Sequence, residues 1–242
     1  MMSKCRQFRI RLVWLLALNV LGSLWAFGAL AEPLNFDFTK GPVAPYIAYY
    51  ENGYQQDLAA VDGWAVQWVK WRTPFAQKPA LVLDIDETSL SNWPEMLVNK
   101  FDYHPDGPCH LPKAPCGMLA WDKMAKAKAI LPTLELFKLA RSMRVSVFFI
   151  TGRHEKERAW TELNLRRAGY VDGRGRNGWV ALKMEPNNLK SAPVAGFKAP
   201  ARAQVEGAGY DIIANIGDQE SDLAGGYAER SFKLPNPFYY IP

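Results

Sequence analysis

The sequence predicts an α/β fold: a parallel sheet with helices on both faces and a small cap insertion after its first strand. Three observations lead there. The chain has 242 residues, 49% hydrophobic and 22% charged, enough apolar material for a sizeable core. Short apolar runs alternate with amphipathic helical stretches through the second half, the pattern of βαβ units. Residues 89–129, rich in Pro, Gly, Cys and Trp, interrupt that alternation just after the first apolar run.

At the amino end, residues 1–31 hold Lys4, Arg6, Arg9 and Arg11 and no acid, then an apolar run from Leu12 to about Gly28, then Ala29-Leu30-Ala31. This reads as a signal peptide cut after Ala31, which makes residues 32–242 a periplasmic or secreted protein without stable membrane insertion. The alternative is an uncleaved anchor. The run is near the lower limit of ~18 residues for spanning, and Asn19, Gly22 and Ser23 weaken it as a span. Losing those four cations reduces the formal charge from +5 to +1. No basic stripe remains in the mature part, which excludes a nucleic-acid polymer as partner.

Residues 32–45 read as an extended arm. From Pro45 to Arg72 the pattern is helical, with Tyr46, Tyr49, Tyr50, Tyr54, Leu58, Val61, Trp64, Trp68 and Trp71 at spacings of three and four. That stripe reads as core packing against a sheet, with a pocket wall as the alternative. Ala80–Leu83 is a buried parallel strand ending in Asp84. Within the insertion, Cys109 and Cys116 flank Pro112 and Pro115 and suit a disulfide in an oxidising compartment. Zinc, drawing on His104 and His110, and free thiols are the alternatives. Trp93, Phe101, Tyr103 and Trp121 read either as stacking partners for a nucleobase or aryl phosphate or as the cap's own core.

Alternation then resumes. Leu131–Arg144 is a helix opened by Pro132, Val145–Ile150 a strand, and Glu155–Ala168 a helix closed by Gly169. Trp179–Met184 is a strand, Pro200–Ala208 a helix, and Asp211–Ile216 and Arg230–Leu234 are strands.

Ligands of parallel sheets sit at the carboxyl ends of the strands. Those ends carry Asp84-Ile85-Asp86-Glu87-Thr88, Thr151-Gly152-Arg153, and Gly217-Asp218 through Asp222. Asp84 and Asp86 share a face of an extended segment, and Asp218 and Asp222 share a helix face. Crowded carboxylates repel unless a cation or protons neutralise them, and hard oxygen ligands favour Mg2+. Helix capping would account for one or two of these acids but not for the whole set.

LVLDIDETSLSNWP, FFITGR and NIGDQESDL, in that order, resemble motifs I, II and IV of the haloacid dehalogenase (HAD) superfamily. TELNLRRAGY and the terminal SFKLPNPFYYIP resemble the subfamily IIIB group of plant acid phosphatases, vegetative storage proteins and bacterial class B and class C acid phosphatases. The likeness runs over roughly residues 45–242. It implies a HAD-like Rossmannoid fold and an exported, Mg2+-dependent phosphatase for small phosphomonoesters. By the same resemblance, Asp84 is the nucleophile and forms an aspartyl-phosphate, and Asp86 is the general acid/base. Thr151 and Gly152 bind the phosphoryl group. Asp84, the Asp86 carbonyl, Asp218 and Asp222 hold the metal. The motif III lysine has three candidates, Lys183, Lys190 and Lys198; Lys198, in GFKAPAR just before a helix, matches best by position. Glu220 departs from the pattern as an extra acid beside the metal motif, and Ser89 stands where leucine is commoner. Some storage-protein relatives lack the nucleophile, which this chain keeps. A binding or storage protein of weak activity, or a phosphotransferase to another alcohol, are the alternative functions. His154, after the TGR turn, reads as a cap or surface residue or as a substrate contact.

Overall fold

A computed structural model describes residues 43–187 and 195–241. The expected signal peptide and Lys190 lie outside the described residues. Among the described residues, no helix is long and apolar enough to cross a membrane.

The chain opens with α1 (Ala44–Tyr49), a π turn over Tyr50–Tyr54, and α2 (Gln55–Arg72). The π turn adds a residue to the helical repeat and rotates the face that follows. Tyr54, Leu58, Val61, Ala65 and Val69 then share the buried face of α2, while Trp64 and Trp71, reached from Val61 in steps of three and four, drift off the 3.6-residue repeat and are exposed. This corrects the uninterrupted aromatic stripe expected from the spacing. Trp68 lies on the boundary, and its indole donates to the Ile213 carbonyl at 2.6 Å.

Strand β1 (Pro79–Leu83) leads into the insertion. There, β2 (Leu90–Ser91), α3 (Trp93–Val98), β3 (Cys109–His110), β4 (Lys113–Cys116), α4 (Met118–Met124) and β5 (Lys128–Ala129) follow one another. β2 and β5 pair antiparallel, so the segment leaves and rejoins the body at one place. Cys109 and Cys116 are disulfide-bonded across β3–β4, which removes the zinc and free-thiol alternatives. Three of the four insertion aromatics have structural packing; Phe101 lies 5.7 Å from Trp93 and 5.9 Å from Phe238 between ring centroids. Trp93 stacks on Tyr50 with centroids 3.6 Å apart, and Trp121 is buried with its indole N–H on Asn92 Oδ1 at 2.9 Å.

The rest is α5 (Leu131–Ser142), β6 (Ser146–His154), α6 (Arg158–Arg167), β7 (Ala181–Glu185), α7 (Ala195–Gly207), β8 (Asp211–Gly217), α8 (Glu220–Leu223) and β9 (Ser231–Lys233). Five strands form one parallel sheet in the order β7-β6-β1-β8-β9. Alternate residues of each strand face opposite sides. Leu81, Leu83, Val147, Phe149 and Ile216 join the larger core, with residues of α2 and α5. Ala80, Val82, Phe148, Ile150 and Ile212 meet Ala201 and Val205 of α7 on the other face.

Two boundaries differ from expectation in ways that bear on the site. β6 continues through Thr151-Gly152-Arg153, so these residues sit on a strand end. α7 begins at Ala195, with Pro200 inside it. Lys198 therefore sits within the helix, one turn from its start, where a proline read as a first-turn residue had hidden the preceding turn.

Candidate active site

Asp84 follows β1, whose register places its backbone N–H on the Ile216 carbonyl of β8 at 3.0 Å. Strand β8 runs out into Asp218, and α8 starts two residues later, returning Asp222 over the same edge. Gly217 makes this return possible: a Cβ there would lie 2.3 Å from Asp222 Cβ. As a result Asp84, Asp218 and Asp222, all buried, each present a carboxylate oxygen within 4.8 Å of the others. α7 brings Lys198 in from the side. Its ammonium donates to Asp84 Oδ1 at 2.6 Å and also to Asp222 Oδ1. Of the other lysine candidates, Lys183 is turned away to Gln204 Oε1 at 2.8 Å.

Neutral donors hold the carboxylates in place. Asp218 accepts from Thr88 Oγ1 at 2.9 Å, Gln219 Nε2 at 2.6 Å and Asn236 Nδ2 at 2.7 Å. Asp222 Oδ2 accepts the Gln219 N–H at 2.9 Å, so the capping role weighed for such acids is real for this one and coexists with the cluster. Glu87, in the left-handed region at φ 52°, folds back to accept the Asn92 N–H at 2.5 Å. Glu220 is exposed and faces Lys233, 4.0 Å away, so the extra acid points out of the site.

Asp86 turns away from the triad. Arg153 donates Nε to its Oδ2 at 3.0 Å and Nη2 to its Oδ1 at 2.6 Å, and Asn92 Nδ2 adds a bond to Oδ1 at 2.7 Å. Thr151 is fully buried, and its Oγ1 accepts the Arg153 N–H at 3.1 Å, leaving its own hydrogen to donate. Gly152 lines the cavity, which has a volume of about 530 Å³. Phe101, Tyr103, Phe238, Tyr239 and Tyr240 form much of its outer wall. His154 also faces it, with Nδ1 3.9 Å from Glu185 Oε2.

The electrostatics follow from burial and spacing. Burial and then Asp222 push the Asp84 carboxyl well up, against the pull of Lys198. Burial and Asp222 likewise raise Asp218 to about 6. Burial acts on Asp86 in the same direction, but Arg153 and the Asn92 bond outweigh it and hold this carboxyl below the usual range. The two carboxyls thus stand in the reverse of the order that a nucleophile at Asp84 and a proton donor at Asp86 suggest, because Arg153 pairs with Asp86 while burial and Asp222 act on Asp84. Burial lowers Lys198, yet Asp222 and Asp84 outweigh it and keep the lysine charged.

The donor set fits a hard divalent cation. Nine acids line the cavity: Asp84, Asp86, Glu87, Glu95, Asp102, Asp122, Glu157, Asp218 and Asp222. Lys198 and Arg153 are the lysine and arginine facing them among the described lining residues. Such an excess of carboxylates is tolerable only with a cation or with bound protons, and oxygen-only ligands select magnesium-like ions over softer ones.

Sequence reasoning missed Arg153, Asn92, Asp122, Gln219 and Asn236 as contributors. Arg153 alone carried a signal, as an arginine at a strand's carboxyl end beside two proposed phosphate-binding residues. Asn92 and Gln219 act on acids within six residues of themselves, through turns that no motif marks, while Asp122 and Asn236 depend on chain segments that meet only in three dimensions.

Over residues 16–242 the sequence matches the family described as HAD superfamily, subfamily IIIB (acid phosphatase). It is 32% identical over 161 residues to "Acid phosphatase 1" of Solanum lycopersicum, covering 66% of this chain and 58% of that protein. It is 30% identical over 227 residues to "Vegetative storage protein 1" of Arabidopsis thaliana, covering 90% and 78%. The chain thus spans less than two thirds of the tomato protein. The solved class C acid phosphatase from Bacillus anthracis shares the fold, with a TM-score of 0.57 at 20% identity over 82% of this chain and 85% of that one. Sheet order, carboxylate triad and matched family agree, and the chain belongs to subfamily IIIB of the HAD superfamily, the acid phosphatases.

Proposed function

We propose that this chain is an exported acid phosphatase that hydrolyses small phosphomonoesters through an aspartyl-phosphate on Asp84, with Mg2+ as its cofactor. One observation carries the reading. At the carboxyl edge of the sheet, Asp84 sits within 4.8 Å of Asp218 and Asp222 and touches the Lys198 ammonium.

The chemistry assigns each residue a task. Asp84 attacks phosphorus as the ester P–O bond breaks, and Asp86 supplies the proton to the departing alcohol. Asp86 then takes a proton from the water that cleaves the Asp84–phosphate bond, releasing inorganic phosphate. Lys198 offsets the charge that gathers between nucleophile and phosphoryl oxygens. The free hydroxyl hydrogen of Thr151 donates to one of those oxygens, beside the Gly152 backbone. Asp84, Asp218, Asp222 and the Asp86 carbonyl would hold the Mg2+, which neutralises charge so that an anionic nucleophile can meet an anionic substrate.

Phosphate release from p-nitrophenyl phosphate at acidic pH, abolished by EDTA and restored by Mg2+, tests the reading. Loss of turnover in Asp84→Asn by several orders of magnitude is expected, and near-normal turnover overturns it. A storage protein of weak activity is the second reading, raised by the Arabidopsis relative, and the same assay separates the two. Product analysis with added glycerol distinguishes transfer to an alcohol from hydrolysis. Export with cleavage after Ala31 predicts a mature chain that begins at Glu32.

A further inference from the structure

Two donors hold the carboxylate of Asp86, and each is braced from the insertion. The first is Arg153, whose guanidinium lies under 5% exposed, between Asp86 and the cap helix α4. Its Nη2 is 2.6 Å from Asp86 Oδ1 and 2.9 Å from Asp122 Oδ1, and its Nη1 reaches Thr161 Oγ1 at 3.4 Å. The second is Asn92, whose Nδ2 donates to Asp86 while its Oδ1 accepts the indole N–H of Trp121 at 2.9 Å. Trp121 and Asp122 are neighbours on α4, both buried. One short stretch of the cap therefore supports both donors to Asp86, each through a single intermediary.

A planar guanidinium fork fixes a carboxylate in position and plane, provided the fork is itself held. Asp122 sets a buried carboxylate oxygen 2.9 Å from Nη2, an ion pair without hydrogen-bond alignment whose attraction opposes swivelling of Arg153. The Trp121 bond fixes which way the Asn92 amide faces, so its NH2 group points at Asp86. A proton donor displaced by ~1 Å costs on the order of 100-fold in rate.

We propose that Trp121 and Asp122 are positioning residues that act through Asn92 and Arg153 to fix Asp86. The insertion then orients the general acid/base as well as covering the cavity. The inference rests on the reading of Asp86 as acid/base.

The test compares Trp121→Phe, Asp122→Asn and Asp86→Asn in the purified full chain with Mg2+. Trp121→Phe removes the indole donor and keeps an aromatic ring. Asp122→Asn keeps the shape and removes the charge facing Arg153. The readouts are kcat and KM for an alkyl phosphate and for p-nitrophenyl phosphate, whose leaving group needs little help from an acid. Each brace variant should lower kcat for the alkyl ester by roughly 10- to 100-fold, lower the aryl rate less, and leave KM within about threefold. In the Asp86→Asn background the same substitutions should change kcat by no more than about twofold, since their target is gone.

If Asp86→Asn shows no leaving-group dependence, the acid/base reading fails. If it does, but Asp122→Asn keeps the parent's leaving-group dependence or slows Asp86→Asn as much as it slows the parent, the positioning role is overturned. Asp122→Asn with Arg153→Lys, which keeps the charge and loses the fork, decides the matter should Trp121→Phe fail to fold.

Discussion

Replacing Lys198 with methionine separates the two jobs its ammonium does in the structure. The side chain is 6% exposed and contacts Asp84 and Asp222, which are 6% and 2% exposed. Methionine fills a similar volume and leaves two buried carboxylates facing each other without the cation. Breaking a buried ion pair from one side costs about 3–5 kcal/mol. For a chain of this size each kcal/mol shifts the melting temperature by roughly 2–4 °C, so the metal-free variant should melt roughly 6–20 °C below the parent. Mg2+ supplies positive charge to the same carboxylates, so adding it should stabilise the variant more than the parent. Turnover should still fall by about 10²–10³-fold, the usual loss when one charge-stabilising donor is removed from a reacting centre. Differential scanning fluorimetry with EDTA or Mg2+, beside phosphate release from p-nitrophenyl phosphate, measures both. A variant that keeps more than a tenth of the parent's turnover, or whose melting point responds to Mg2+ less than the parent's does, refutes the placement of Lys198 between Asp84 and Asp222.

Further outcomes follow from groups around and beneath the site. Asp218, raised to about 6 by burial and Asp222, binds a proton below that pH that Mg2+ must displace. Apparent Mg2+ affinity should weaken by up to about tenfold per pH unit below 6, and calorimetry at pH 5.5 that detects no proton release on binding contradicts this. Asp62 is buried against Thr133 Oγ1 at 2.9 Å, and burial raises it to about 7. The folded chain holds that proton where the unfolded one has lost it, so stability should fall by up to about 4 kcal/mol as pH rises from 4 to 7 and then level off. Asp62→Asn should flatten that slope, and equal pH dependence of the urea midpoints in both proteins sinks the assignment. The disulfide closes a short loop between Cys109 and Cys116. Replacing both cysteines with serine should cost about 2–3 kcal/mol in the chain-entropy model, and an unchanged melting temperature would count against its contribution to stability.

What could be read from the sequence was whatever local chemistry marks. An apolar run ending in Asp84 identifies a parallel strand and its functional end together, and the same holds for Ile216 and Asp218. Strand–helix alternation was enough to imply a parallel sheet. The unread parts are long-range or depend on how far a loose spacing drifts along a helix. Trp64 and Trp71, spaced three and ten residues beyond Val61, fall off the 3.6-residue repeat of α2 and out of the core. The Arg153–Asp86 pair joins residues 67 apart in sequence. That pair reverses the expected order of the Asp84 and Asp86 carboxyls, because proximity to a buried guanidinium outweighs the desolvation that sequence reasoning could anticipate. Asn236 reaches Asp218 from the chain's last residues, a contact that only β9 and the turn after it create.

The donors around the triad explain how so many acids can share one cavity floor before any cation arrives. Thr88, Gln219 and Asn236 all donate to Asp218, and the Gln219 N–H holds Asp222. These are neutral groups that stabilise a carboxylate without consuming its charge. They come from the turn after β1, the start of α8 and the C-terminal segment, elements already ordered by the sheet and its core. The carboxylates are therefore oriented by folding and not by the metal, which spares metal binding the cost of ordering its ligands. Lys198 is the exception. Among the described residues it is the charged donor held directly between two of the three carboxylates, and a bound Mg2+ would share those oxygens with it. The lysine offsets the charge of Asp84 and Asp222 in the folded chain, and under the proposed function it would act on the phosphoryl oxygens once Mg2+ neutralised those carboxylates. A single side chain could fill both roles, because the cation and the substrate would change what its ammonium faces.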